Sequence, residues 1–147
     1  MLYCLACTSS FFTFHSTRLN SPSLSNLDGI NEVIVGYAGG QEEYPTYRNI
    51  KDHTEAVRIA YDPDILSYGD ILQLFFQEHS ASMAPYKRQY RSAILTNSAS
   101  QKAMAHEMVL ALGRKQRIYT DVEDATDFYR AEEYHLKYIE KMNGKQR

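Results

Sequence analysis

Two apolar runs decide what this chain can fold into. NEVIVGYA (31–38) reads as a buried strand and stops at Gly39-Gly40. TEAVRIAYD (54–62) alternates with the period of two of a half-buried strand, and Pro63 closes it. Helical spacing follows in SYGDILQLFFQEHS. Ser67 stands as N-cap, and Ile71, Leu72, Phe75 and Phe76 form one apolar face. YRSAILT (90–96) reads as a third strand. SASQKAMAHEMVLALGRK reads as a helix opening near Ser98 or Ser100, with Ala103, Met104, Met108 and Leu112 inward. IYTDVED (118–124) is a fourth strand or a sheet edge, and FYRAEEYHLKYIEKM is expected to be partly helical. Strands alternate with helices and there is no glycine-rich phosphate loop. That pattern predicts an α/β or α+β sandwich, one sheet with helices packed on it.

At 147 residues the chain suffices for one domain with a genuine core. A net charge of -2 gives no electrostatic case for nucleic acid or for an acidic membrane surface. No apolar run approaches the roughly 20 residues of a membrane span. Residues 1–26 differ from the rest: they hold no Asp or Glu, one arginine (Arg18), and many Ser and Thr. This divergent segment is expected to be partly disordered, with FFTFH (11–15) its one piece of strand propensity, and the domain is expected to span 27–147. A single arginine makes a weak organelle-targeting signal, and LYCLAC lacks the basic start of a secretory one.

Both cysteines, Cys4 and Cys7, fall in that segment, so they cannot cross-link the body of the fold. Their CxxC spacing suits a redox pair or half a zinc site. No second CxxC or CxxH follows, so no metal is expected. Two incidental thiols near a chain end are the more ordinary reading of the spacing alone.

Glu55 is the first residue with chemical interest. A carboxylate near the start of a strand is ordinarily solvated. Here the alternation puts Glu55 on the same face as Val57, Ile59 and Tyr61. A carboxyl group held in an apolar pocket resists ionisation and can donate a proton to a leaving oxygen. Tyr47 follows Pro45-Thr46 in a loop, and Tyr90 opens a strand. Buried phenols are most often core residues with a satisfied hydroxyl, but phenols converging on an acid can hold a polar oxygen. His53 and His135 belong to no ligand-spaced cluster and read as structural. The aromatics at 128, 129, 134 and 138 form either one face of an amphipathic tail or a pocket wall.

GYAGG (36–40), PTY (45–47), DHTEAV (52–57), YDP (61–63), SY (67–68), QYRSAI (89–94) and FYRAEEYH (128–135) stand in an order that resembles the peptide methionine sulfoxide reductase A family. The resemblance covers roughly residues 27–140. It implies an α+β two-layer sandwich of ferredoxin-like type around a mixed sheet. It also implies reduction of methionine-S-sulfoxide, free or in proteins, with thioredoxin as the final thiol donor and no cofactor. In the family a cysteine thiolate attacks the sulfoxide sulfur, while a glutamate and two tyrosines bind its oxygen. Those positions fall on Glu55, Tyr47 and Tyr90. Tyr37, Tyr129, Tyr138 and His135 are expected to contact substrate. A monomer is expected, in the cytoplasm or, as the other option, in mitochondria, with no nucleic-acid or membrane partner.

The chain departs from the family at the nucleophile. The family's GCFWG motif, about twenty residues ahead of GYAGG, is absent. Counting back twenty from Gly36 reaches Ser16; matching the following helix differently places Phe11 there; the nearest thiol is Cys7. A serine cannot form a sulfenic acid, and a phenylalanine cannot react. Cys7 has the right element but no nearby cation or clear helix start to lower its pKa; it is the candidate nucleophile if the chain is catalytic, and only Cys4 could resolve it. The chain has no tryptophan to replace the missing Phe-Trp pair. Pro85 and Leu136 also depart from the family pattern. Two alternatives stand beside catalysis: a relative that binds methionine sulfoxide without reducing it, and a mis-spliced product lacking the nucleophile.

Overall fold

A computed structural model of the protein describes residues 8–13, 24 and 26–136. Six strands form one mixed sheet: β1 (Thr8–Thr13), β2 (Ile30–Ala38), β3 (Thr54–Tyr61), β4 (Ser92–Thr96), β5 (Thr120–Asp124) and β6 (Tyr129–Arg130). Their order across the sheet is β5-β4-β1-β3-β2-β6. The β4–β5 pair is parallel; every other pair is antiparallel. The parallel pair needs a crossover, and the helix α2 (Ala99–Gly113) supplies it. The other helix, α1 (Tyr68–Glu78), connects the middle of the sheet to β4. The architecture is the expected α+β sandwich.

Local chemistry sets these boundaries. The Ser67 hydroxyl accepts from the Asp70 backbone N–H at 3.1 Å, and the Asp70 carboxylate accepts from the Ser67 N–H at 2.9 Å, a reciprocal capping box that opens α1. Ser98 caps α2 by accepting from the Gln101 N–H at 3.2 Å. Gly39 ends β2 at φ +77, in the left-handed region a side chain rarely adopts. At Gly36 a side-chain carbon would stand 2.2 Å from the Tyr129 carbonyl oxygen, so a glycine is what lets β6 pair there.

The core lies between one sheet face and the helices. Val35 and Tyr37 of β2, Val57, Ile59 and Tyr61 of β3, and Ile94 of β4 pack with Ile71, Leu72 and Phe75 of α1 and Ala105 of α2. A smaller cluster of Ala38, Ala56, Ala93 and Leu95 packs with Ala125 and Phe128.

The structure corrects the expected phase of α2. Ala103 and Met104 are exposed, and the inward stripe is Gln101, Ala105, Met108, Val109 and Leu112. The cap explains the shift. Gln101 is drawn in because its side chain accepts from the Asn97 N–H at 2.8 Å, and this fixes the rotation of the first turn.

β1 comes from the segment set apart on composition. It is an interior strand, paired with β3 on one side and β4 on the other. FFTFH contributes its first three residues to it. Cys4, Cys7, Ser16 and Tyr138 lie outside the described residues. No helix among the described residues is long and apolar enough to cross a membrane.

Candidate active site

The site is built where β2 ends and β3 begins. Tyr37 and Glu55 face each other across the two strands. The loop between them carries Tyr47, held by a backbone exchange between Thr46 and Asn49 at 3.0 and 3.1 Å. Tyr44 and Lys51 of this loop take φ of 55 and 56, left-handed backbone that costs a side-chain-bearing residue energy.

The 3-10 turn Arg88–Tyr90 brings Tyr90 to the same place. Two arginines tie this turn down. Arg88 donates to the Asp52 carbonyl at 3.0 Å and to the Gly39 carbonyl at 3.2 Å. Arg91, 4% exposed, donates to the Thr54 hydroxyl at 3.1 Å, next to Glu55. Its other nitrogens grip Asp121 at 3.0 Å and Glu123 at 2.5 and 2.8 Å. A buried guanidinium needs this many partners, and in satisfying itself it links the Tyr90 turn, the Glu55 strand and β5.

Glu55 is 2% exposed, and its Oε2 has no hydrogen-bond partner among the described residues. A buried carboxyl oxygen left without a donor is costly. Burial pushes the Tyr90 phenol above its ordinary value, and the Glu55, Tyr86 and Tyr47 side chains add to that push. Glu55 and Tyr47 thus lie near enough to act on Tyr90. Tyr47 is 37% exposed, so the cluster opens to solvent.

His135 closes the other wall. Its ring stacks on Tyr47 with centroids 4.1 Å apart and lies 6.4 Å from the ring of Tyr37. Both of its nitrogens are buried without a partner among the described residues. Burial holds its pKa below the usual value, while the Glu55 and Glu132 carboxylates work the other way. Tyr129 pairs with Tyr37 across β6 and packs edge-on against His53 at 5.5 Å and Tyr44 at 6.1 Å.

Reasoning from the sequence missed Glu132. Its carboxylate accepts from the Tyr37 hydroxyl at 2.6 Å, the Tyr47 backbone N–H at 3.0 Å and the Tyr134 hydroxyl at 3.3 Å. Burial opposes the charge, but these donors hold the Glu132 pKa below the ordinary carboxylate value. Burial and the Glu132 bond together push the Tyr37 phenol far up. Nothing in the sequence separates Glu132 from its exposed neighbour Glu133, since only the end of β6 turns one of them inward.

The thiol side is different. β1 runs antiparallel to β3, with Thr13 opposite Ala56 and Thr8 opposite Tyr61. The end of β1 beside Glu55 is therefore its C-terminal end. Thr8, the residue after Cys7, lies at the remote end. The six residue steps from Glu55 to Tyr61 span roughly 20 Å. Among the described residues no cluster of three or more His, Cys, Asp or Glu could hold a metal.

An α+β sandwich with a buried carboxyl set beside phenols at one end of its sheet is the class of protein that fold and site define. Residues 20–147 match the family model for peptide methionine sulfoxide reductase, and the chain belongs to that family. It is 41% identical over 114 residues to the peptide methionine sulfoxide reductase of Drosophila melanogaster, a match covering 75% of this chain and 46% of that protein. It is 38% identical over 130 residues to the MsrA of Haloquadratum walsbyi, covering 81% of this chain and 75% of the relative. The chain thus spans about half the length of the fly relative. The reduced form of Mxr1 from Saccharomyces cerevisiae superposes with a TM-score of 0.79 at 22% identity, covering 96% of this chain and 88% of that one. The same yeast protein in complex with Trx2 gives 0.63 at 19%, covering 92% and 88%. At those identities the structures bear on the fold.

Proposed function

We propose that this chain reduces methionine-S-sulfoxide, free or in proteins, to methionine at the expense of thioredoxin-type thiols. The observation that carries the reading is the buried Glu55 oxygen without a donor, set beside Tyr47 and Tyr90. A sulfoxide oxygen carries partial negative charge and accepts hydrogen bonds. Tyr47 and Tyr90 donate to it, and Glu55 supplies the proton as the sulfur–oxygen bond breaks. A thiolate takes the place of the oxygen on sulfur. A second thiol then completes a disulfide, so one sulfoxide and two thiols give one sulfide, one disulfide and one water.

Tyr37 and His135 wall the pocket, with Tyr129 behind them. Tyr138 is assigned to the same wall from the family pattern alone. The reductase domain comprises residues 27–147, with β1 supplied by the segment ahead of it. A monomer in the cytoplasm is the expectation that the family resemblance carries.

The test is binding and turnover of the two epimers of N-acetylmethionine sulfoxide. The S epimer is expected to shift the Tyr47 and Tyr90 resonances and to be reduced with dithiothreitol. Glu55→Gln is expected to lower turnover about a hundredfold while leaving the protein folded. Equal handling of both epimers, or full activity in the Gln variant, would sink the reading.

A further inference from the structure

Glu132 follows directly on β6 and joins the two stacked rings of the site. Its backbone carbonyl accepts from the His135 N–H at 2.9 Å and from the Leu136 N–H at 3.1 Å, which sets the turn that carries the His135 ring. Its side chain reaches the other way. One carboxylate oxygen, Oε1, accepts from the Tyr47 backbone N–H at 3.0 Å, and the other, Oε2, accepts from the Tyr37 hydroxyl at 2.6 Å. One residue thus holds His135 through its backbone and Tyr47 through its carboxylate, and the two rings meet with centroids 4.1 Å apart. The neighbouring Ala131 N–H donates to the Val35 carbonyl at 2.9 Å, so the anchor is itself seated on β2.

The Tyr47 loop has use for such an anchor. The exchange between Thr46 and Asn49 is internal to the loop, as are the bonds from the Gln41 and Glu42 N–H groups to the Asp52 carboxylate at 2.7 and 3.3 Å. They hold its shape but not its place against the pocket. Tyr44 and Lys51, on either side of Tyr47, take left-handed backbone. Such strain persists only where surrounding contacts over-determine it, so a loop of this kind shifts when a tie is cut. The Glu132 bond ties the loop at Tyr47 itself, across 85 residues of sequence.

We propose that Glu132 is a positioning residue: through the Tyr47 backbone it holds the Tyr47 phenol where a sulfoxide oxygen bound at Glu55 is met. This rests on the function proposed above and names what sets one of its donors in place. The two oxygens of Glu132 serve donors of different kinds. A tyrosine hydroxyl can turn from donor to acceptor, whereas a backbone N–H can only donate. Glu132→Gln therefore keeps both contacts, with its amide oxygen toward the Tyr47 N–H and its amide N–H toward the Tyr37 oxygen. Glu132→Ala keeps neither, yet leaves the backbone bond to His135 in place.

The experiment compares the full chain with Glu132→Ala, Glu132→Gln and Glu132→Asp. Each is titrated calorimetrically with the S epimer of N-acetylmethionine sulfoxide, and the Tyr47 ring resonances, which the stacked His135 ring displaces, are followed by NMR. Glu132→Ala is expected to weaken binding about tenfold and to lose the Tyr47 displacement. Glu132→Gln is expected to hold both, with binding within about twofold. Glu132→Asp keeps the charge but shortens the arm by one methylene, and is expected to weaken binding; it decides the matter should Glu132→Ala fail to fold. A role confined to stability would lower the urea midpoint while affinity and the Tyr47 displacement stay unchanged, and that result overturns the proposal. So does a Glu132→Gln variant that binds as weakly as Glu132→Ala. Binding that survives both Glu132→Ala and Glu132→Asp removes this role alone, whereas an unaltered chain that does not bind the epimer removes the function proposed above together with it.

Discussion

Strand β3 carries two regions that follow opposite rules. At its Tyr61 end the sheet lies under Ile71, Leu72 and Phe75 of α1, and the packing is apolar. The Tyr68 hydroxyl is the one buried polar atom there without a partner among the described residues. At its Glu55 end, Glu55 and His135 are each 3% exposed or less, and each leaves at least one buried polar atom without such a partner, while the buried His53 Nδ1 stands 3.1 Å from the Asp52 carboxylate. Each orphaned group costs about 1–3 kcal/mol. The core end is organised to exclude water and needs nothing else. The Glu55 end leaves polar groups unmet among the described residues, and on the proposed function the Tyr47 and Tyr90 hydroxyls there donate to a sulfoxide oxygen. The lesson is that burial alone does not distinguish core from site; unmet hydrogen bonding does.

The comparison breaks most readily at Leu72, which is 1% exposed. Leu72→Ala removes packing from the core end and is expected to cost about 2–5 kcal/mol in urea denaturation. Sulfoxide binding measured well below the midpoint is expected to hold. A loss of affinity in proportion to the loss of stability would mean that the two ends are not separate.

Two histidines sharpen it. His79 lies at the C-terminal end of α1 with both nitrogens engaged, to the Phe75 carbonyl at 2.6 Å and to the Ser92 hydroxyl at 2.8 Å. His135 lies at the site end with neither engaged among the described residues. His79→Phe is expected to cost about 1–3 kcal/mol, whereas His135→Phe, which deletes only unmet groups, is expected to be neutral or stabilising. Their pH behaviour agrees in sign. Burial holds both folded values below the ordinary 6.5, opposed in His79 by the Phe75 carbonyl and in His135 by Glu55 and Glu132. The unfolded chain therefore binds protons more readily. The stability each contributes is complete above 6.5 and is lost as the pH falls through the folded value. Urea midpoints taken from about pH 7 to about pH 5 are expected to fall less steeply in either variant. An unchanged slope in His135→Phe would show that this ring already carries its proton.

The core end was the more legible in the sequence because periodicity reports burial. Val57, Ile59 and Tyr61 alternate, and Ile71, Leu72 and Phe75 recur at helical spacing, so both elements and their inward faces could be read directly. The same rule misled in α2, where the Gln101 bond to Asn97 outweighed the apolar character of Ala103 and Met104. At the site end, alternation placed Glu55 inward, and the family pattern put Tyr47 and Tyr90 beside it. Glu132 and Arg91 were invisible, since their roles depend on bonds across 85 and 32 residues of sequence. The direction of β1 was equally beyond reach, because register is settled by partners and not by the strand's own residues.

The smallest expected effects come from two surface hydroxyls, one at each end. Ser67 makes the capping box with Asp70, whose carboxyl that hydroxyl and the Ser67 backbone hold below its usual pKa. Ser67→Ala is expected to cost about 1 kcal/mol, because an N-terminal N–H of α1 loses its acceptor. Tyr134 is 50% exposed and reaches Glu132 at 3.3 Å, a long bond that competes with water. Tyr134→Phe is expected to cost less than about 0.5 kcal/mol. Binding should reverse the ranking. Ser67→Ala leaves the pocket untouched, while Tyr134→Phe withdraws one of three donors from the carboxylate that holds the Tyr47 backbone. Calorimetric titration with the S epimer is therefore expected to show a weaker interaction in Tyr134→Phe alone. Should Ser67→Ala weaken it equally, the cap of α1 would have to be counted as part of the site.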